Sequence, residues 1–192
     1  MKAFRTPLLK INLSAIGHNV LILSKFFRMM KMRISGVTKA VCGDPGIVQL
    51  LISHNRLESI ADSRLENIRR MRDNSIKTEF MLLRSPLPSQ AAETVKTADI
   101  SLNSELKTIR ALSAAARDAC KIHDILLMIE LGDRREGVMP EEVDEFVKEI
   151  LELDGLRLRG IGTNLACLSG VKPDGEKMKR LSGIAENVES KF

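Results

Sequence analysis

Apolar positions along this chain switch repeatedly between two periods. Short β-branched or apolar runs read as buried strands, and between them Leu, Ile, Val and Met recur every three or four residues, as on amphipathic helices. The runs at Leu9 to Asn12, Arg33 to Lys39, Ser59 to Asp62, Thr78 to Leu83, Asp99 to Leu102, Ile125 to Leu131 and Leu156 to Gly162 are predicted strands. A helix follows each. The first starts near Ser14 and carries Ile16, Val20, Leu23 and Phe27. The second opens on Asp44-Pro45, a cap followed by a first-turn proline. Later helices carry Leu65, Ile68 and Met71; Ser89 to Thr97; Leu106, Ile109, Leu112 and Ala116; Val143, Phe146, Val147 and Ile150; and Met178, Leu181, Ile184 and Val188. Asn103-Ser104-Glu105 and Pro140-Glu141-Glu142 supply two of the helix starts.

Alternation this regular predicts an α/β fold with a parallel sheet. Two architectures compete. A doubly wound sheet of this length holds about five or six strands. A (β/α)8 barrel has eight and typically needs about 250 residues. Seven units in 192 residues favour the TIM-barrel type, incomplete because it stops one strand early. No linker or low-complexity segment divides the chain, so residues 1–192 are expected to form one domain.

In such sheets chemistry is placed at the carboxyl ends of the strands. The exits here are Lys39, Asp62-Ser63-Arg64, Arg84-Ser85, Asn103-Ser104, Asp133-Arg134-Arg135-Glu136 and Thr163-Asn164. Polar loop residues are ordinary, but a lysine closing a short buried strand contributes nothing to packing and is costly to desolvate. Lys39 is therefore a candidate amine nucleophile. Gly160-Ile161-Gly162 either lets backbone approach a ligand or serves tight strand packing. The Asp44 cap, the Asp133/Glu136 pair and His18, His54 and His123 read as structural.

Composition narrows the function classes. Net charge is +5, but the basic residues are scattered and aromatics make up only 3%, which argues against nucleic-acid binding. The chain has no Trp and no Tyr, so aliphatic residues and Met must fill the core, and one common catalytic acid/base is missing. Cys42, Cys120 and Cys167 show no metal-ligand spacing, and three is an odd number, as expected in a reducing compartment. The apolar run from Val20 to Phe27 is interrupted by Ser24 and Lys25, so neither a signal peptide nor a membrane span is expected, and a cytoplasmic location is the default.

With these pieces placed, the sequence resembles the alanine racemase N-terminal-domain family of fold-type III pyridoxal phosphate enzymes, and in particular its ornithine/alanine racemase-like branch. Five segments carry the resemblance, in the family's order. They are Val37-Thr38-Lys39-Ala40-Val41-Cys42-Gly43-Asp44, Ala61-Asp62-Ser63-Arg64-Leu65-Glu66-Asn67-Ile68 and Asp99-Ile100-Ser101-Leu102-Asn103-Ser104-Glu105, then Glu130-Leu131-Gly132-Asp133-Arg134-Arg135-Glu136-Gly137 and Gly160-Ile161-Gly162-Thr163-Asn164-Leu165-Ala166-Cys167. The resemblance implies that Lys39 holds pyridoxal 5'-phosphate as a Schiff base. It implies that Arg135 faces the cofactor or the substrate carboxylate, and that Thr163 and Asn164 line the cofactor. It implies an amino-acid racemase, an isomerase interconverting L- and D-amino acids, whose complete members form homodimers. No metal site is expected from the spacing of the Cys and His residues.

The chain also departs from the family pattern. Relatives place a tyrosine from a C-terminal β domain opposite the lysine, and this chain has no tyrosine. Its last residues, Ser190-Lys191-Phe192, fall where relatives enter the eighth strand. Arg134 and Leu168-Ser169 replace an apolar residue and an aromatic-glycine pair. The expectation is an N-terminal barrel portion without the eighth strand and the C-terminal β domain. Two alternatives remain. One is a non-catalytic pyridoxal phosphate-binding protein of the same fold, and the other is a Schiff-base aldolase on a similar barrel.

Overall fold

A computed structural model describes residues 9–53, 56–165 and 170–192. Its strands are β1 (Ser35–Val37), β2 (Ser59–Asp62), β3 (Phe80–Leu82), β4 (Ile100–Asn103), β5 (His123–Met128) and β6 (Leu156–Gly162). Its helices are α1 (Leu13–Met29), α2 (Pro45–Ile52), α3 (Leu65–Asp73), α4 (Ala91–Thr97), α5 (Leu106–Asp118), α6 (Val143–Leu151) and α7 (Gly175–Lys191). Every strand pairs in parallel with the one before it, in the spatial order β1-β2-β3-β4-β5-β6. A doubly wound sheet reverses strand order at a switch point. This one never does, so the winding is that of a TIM barrel, left incomplete among the described residues.

One face of the sheet carries the helices. Val48, Ile60, Ile68, Met71 and Phe80 form one apolar cluster, and Ile109, Leu112, Ile125, Leu127, Ile129, Val147 and Ile150 form another. Period-two alternation explains the choice. Ile125, Leu127 and Ile129 turn toward the helices, while Asp124 turns the other way and meets Arg157 and Arg159.

The sequence reading is corrected most at the first two predicted strands, while Thr78 to Leu83 narrows to Phe80–Leu82 and Ile125 to Leu131 shifts to His123–Met128. Leu9 to Asn12 forms no strand. Asn12 instead caps α1, its side-chain oxygen accepting from the Ala15 amide at 3.0 Å, and a cap competes with an extended conformation for the same backbone. Six strands, not seven, are therefore present among the described residues. The predicted strand Arg33 to Lys39 narrows to Ser35–Val37, because Thr38 (φ −107°, ψ 0°) leaves the extended region and Lys39–Val41 form one turn of 3-10 helix. Nor is β1 buried: it is the edge of the sheet, and Val37 is 52% exposed.

Candidate active site at the carboxyl ends of the strands

Lys39 is placed by a buried polar lock rather than by its own strand. Thr38 and Asp62 are both fully buried. The Thr38 hydroxyl donates to Asp62 Oδ2 at 2.8 Å, and Asp62 Oδ1 accepts from the Arg64 amide at 3.0 Å and from Asn67 Nδ2 at 2.9 Å. A buried carboxylate with three donors is satisfied and holds its donors in place. The lock ties the exit of β1 to the exit of β2 and to the first turn of α3. On its other side, Arg70 Nη1 of α3 donates to the Cys42 carbonyl at 3.2 Å, steadying the turn that Lys39 opens. Lys39 itself is exposed and has no ion pair among the described residues.

Arg135 comes from the loop after β5. That loop folds back, with the Val138 amide donating to the Met128 carbonyl at 2.7 Å and the Glu130 amide donating to the Val138 carbonyl at 2.9 Å. Gly137 makes the return possible. Its φ is +140°, and a Cβ there would stand 2.4 Å from the Glu130 nitrogen. Arg135 Nη2 donates to Glu136 Oε1 at 3.0 Å, and Arg135 Nε lies 3.6 Å from the buried Asp133.

Asn164 reaches the site through a β-bulge. Leu158 pairs with Ile125 and Gly160 with Leu126, so Arg159 is an extra residue in β6. The bulge reverses the alternation downstream. Leu158 and Ile161, three positions apart, both pack toward the helices, and Asn164 falls on the opposite face. There its amide donates to Glu136 Oε1, the same oxygen that receives Arg135.

These placements converge on one cavity of about 350 Å³, within the range of small-molecule sites. All six strand exits contribute to its wall: Lys39, Ser63, Leu83 with Arg84, Leu102, Arg135 with Glu136, and Asn164. Of the residues singled out from sequence, Lys39, Arg135 and Asn164 therefore meet. Thr163 lies at the same end but is not part of that wall; its hydroxyl donates to the Ile129 carbonyl at 2.8 Å, joining the exits of β6 and β5. Asp62, collected among the mouth residues, is spent inside the lock, and Asn103 is fully buried, donating to Ser101. Glu136, read as structural, lines the cavity and orients two of its members. Ser63 and Arg84 belonged to the strand-exit set, but nothing in their spacing distinguished them from their neighbours. His54 and Cys167 lie outside the described residues. His123 is buried at the start of β5, where burial lowers its pKa to about 4 against the opposing pull of Asp124 and Asp99. Cys42 and Cys120 are free thiols.

Among the described residues no group of three or more His, Cys, Asp or Glu could hold a metal ion, and no helix is long and apolar enough to cross a membrane. The cavity pairs one primary amine with two guanidinium groups, a hydroxyl and a carboxamide. That donor set fits an anionic ligand that also presents a carbonyl carbon to an amine.

Comparison with known proteins agrees with this fold. The sequence model of the family described as alanine racemase, N-terminal domain, matches residues 11–191. The chain is 35% identical to an ornithine racemase of Acetoanaerobium sticklandii over 97% of its own length and 52% of that protein. It is 34% identical to a lysine racemase of Thermotoga maritima over 95% of its length and 51% of that protein. An alanine racemase of Clostridium difficile 630 superposes with a TM-score of 0.76 at 20% identity, over 93% of this chain and 49% of that one. The chain thus spans about half the length of the curated relatives it matches. With its sequentially ordered parallel sheet and its lysine at the first strand exit, the chain belongs to the alanine racemase N-terminal domain family.

Proposed function

We propose that this chain is the pyridoxal 5'-phosphate-binding barrel portion of an amino-acid racemase, with Lys39 as the covalent anchor. The observation that carries this reading is the meeting of an unpaired lysine amine with Arg84, Arg135 and Asn164 in a cavity walled by all six strand exits. When bound, the cofactor supplies a conjugated ring that stabilises negative charge on the substrate α-carbon. The chain's own residues do the rest. Lys39 Nζ would hold the cofactor and would take or return the α-proton on one face. Arg135, held by Glu136 and Asp133, would present its guanidinium to the cofactor or to the substrate carboxylate. Asn164 fixes Glu136 and so fixes Arg135. Arg84 and Ser63 offer positive charge and a donor to the cofactor's anionic group.

Racemisation needs a base on each face of the α-carbon. The chain has no tyrosine, and the carboxylate on the cavity wall, Glu136, is engaged by Arg135 and Asn164. Lys39 is therefore assigned one face only. That same imbalance favours a second reading, a protein of this fold that holds the cofactor without turnover. Titration with pyridoxal phosphate tests both. A visible absorbance band and a borohydride-stable mass increment at Lys39 are expected, and both are lost in Lys39→Ala. No band in the parent protein overturns both readings. A band without loss of optical activity from any amino acid selects the second.

A further inference from the structure

Most arginines in the sheet-and-helix body are matched to a carboxylate. Arg72 sits on Asp99, Arg110 on Glu149, Arg157 on Asp124 and Arg159 on Glu79. Arg64, Arg70 and Arg84 break this pattern together. None has an ion pair among the described residues, and all three line one cavity of about 630 Å³ between the start of α3 and the connection from β3 to α4. Glu66 is the one carboxylate on that wall among the described residues, so three guanidinium groups face one acid.

Two further features point the same way. The Ser85 hydroxyl oxygen, on the same wall, is buried without a hydrogen-bond partner among the described residues. A buried hydroxyl left unpaired is costly, and such groups are commonly satisfied by a ligand or an ordered water. The first turn of α3 has no side-chain cap, so its amide groups add positive potential at the cavity's edge. Arg70 is also held in position, because its Nη1 donates to the Cys42 carbonyl at 3.2 Å while its other N–H groups remain available. The cavity shares Ser63 and Arg84 with the Lys39 cavity, so the two are neighbours across one wall.

We propose that this second cavity binds a small oxyanion, the phosphoryl or carboxylate group of a small molecule, through Arg64, Arg70 and Arg84 with the Ser85 hydroxyl as a further donor. Guanidinium groups bind both oxyanions through paired hydrogen bonds. The site shares Arg84 with the Lys39 cavity, while Arg64, Arg70 and Ser85 line it alone.

Calorimetric titration of the full chain tests it, with potassium phosphate and with L-glutamate as separate titrants, each against potassium chloride at matched ionic strength. Saturable binding of phosphate alone identifies a phosphoryl site, and saturable binding of glutamate identifies a carboxylate site. Arg64→Gln and Arg70→Gln line this cavity and not the Lys39 cavity, and each is expected to weaken binding about tenfold. Both positions are exposed, so folding is expected to survive, and thermal melting checks this. Arg117→Gln, on α5 away from the cavity, is the control and is expected to change affinity by less than about twofold. Binding no stronger than chloride's, or an equal loss in Arg117→Gln, overturns the proposal.

Discussion

At the amino ends of the strands, Arg157 and Arg159 of β6 reach across the sheet to Asp124 of β5, to Glu79 before β3 and to Glu58 before β2. At the carboxyl ends, Lys39, Arg64, Arg70 and Arg84 face cavities without an ion-pair partner among the described residues. The first group is a closed network. Arg157 grips both oxygens of Asp124 at 2.8 Å, and Arg159 lies 2.5 Å from Glu79 and 3.2 Å from Asp124. Hydrogen bonds to these acids raise the pKa of both arginines, Arg157 chiefly through Asp124 and Arg159 chiefly through Glu79. Charges so matched hold strands together and have little left for a ligand. The mouth leaves cations unmatched, an arrangement that adds nothing to stability and suits a site awaiting an anion. Arg157 and Arg159 at the amino end are paired, whereas at the carboxyl end Arg135 is paired and Arg64, Arg70 and Arg84 have no ion pair among the described residues.

The comparison yields predictions of decreasing size. Lys39→Ala is expected to abolish the visible cofactor band while changing stability by less than about 0.5 kcal/mol, since Lys39 is exposed and unpaired. Absorbance and urea unfolding of the same sample measure the two effects. Asp62→Ala strands three donors in a buried place and should destabilise by about 3–5 kcal/mol, weakening the band as the Lys39 turn loosens. At the opposite end, Asp124→Ala is expected to destabilise by about 1.5–3 kcal/mol in urea yet leave the band at full height. If it removed the band as Lys39→Ala does, the two ends would not be separable.

An effect of similar size is a pH dependence centred on His123, which sits beside the amino-end network. Its folded-state pKa is about 4 against an ordinary 6.5, chiefly through burial. As pH falls, the unfolded chain takes up the proton first. Stability from this group is therefore complete above about pH 6.5 and declines toward pH 4, by about 3 kcal/mol across the window, with only part of that lost by pH 5.5. Urea midpoints between pH 7 and 4.5 should show the decline, and His123→Gln should flatten it. An unchanged slope in that variant would assign the pH dependence to other groups.

What could be read from the sequence was local in origin. Leu65, Ile68 and Met71 recur at helical spacing and lie buried on α3. Ser59 to Asp62 and Leu156 to Gly162 form strands with the bounds expected. Asp44 caps α2, accepting from the Ile47 amide at 3.0 Å. Each depends on neighbours within a turn or a strand, which periodicity and capping chemistry record directly. Three of the residues assigned to the cofactor, Lys39, Arg135 and Asn164, also line one cavity, because parallel strands bring their carboxyl ends to one side wherever the chain passes.

The side chains at each exit were another matter. Asp62 and Ser63 are adjacent, yet the first is locked under α3 and the second opens on the cavity, since neighbours on an extended chain point to opposite faces. Asn164 faces the cavity through the bulge at Arg159, a change of phase that follows from pairing with β5. Leu9 to Asn12 carried the composition of a strand but found no strand partner. Periodicity by itself determined six of the seven expected strands and their order along the chain. Only the tertiary structure decided which polar groups are consumed by partners and which are left for a ligand, because pairing joins residues such as Thr38 and Asp62, or Arg159 and Glu79, that are far apart along the chain.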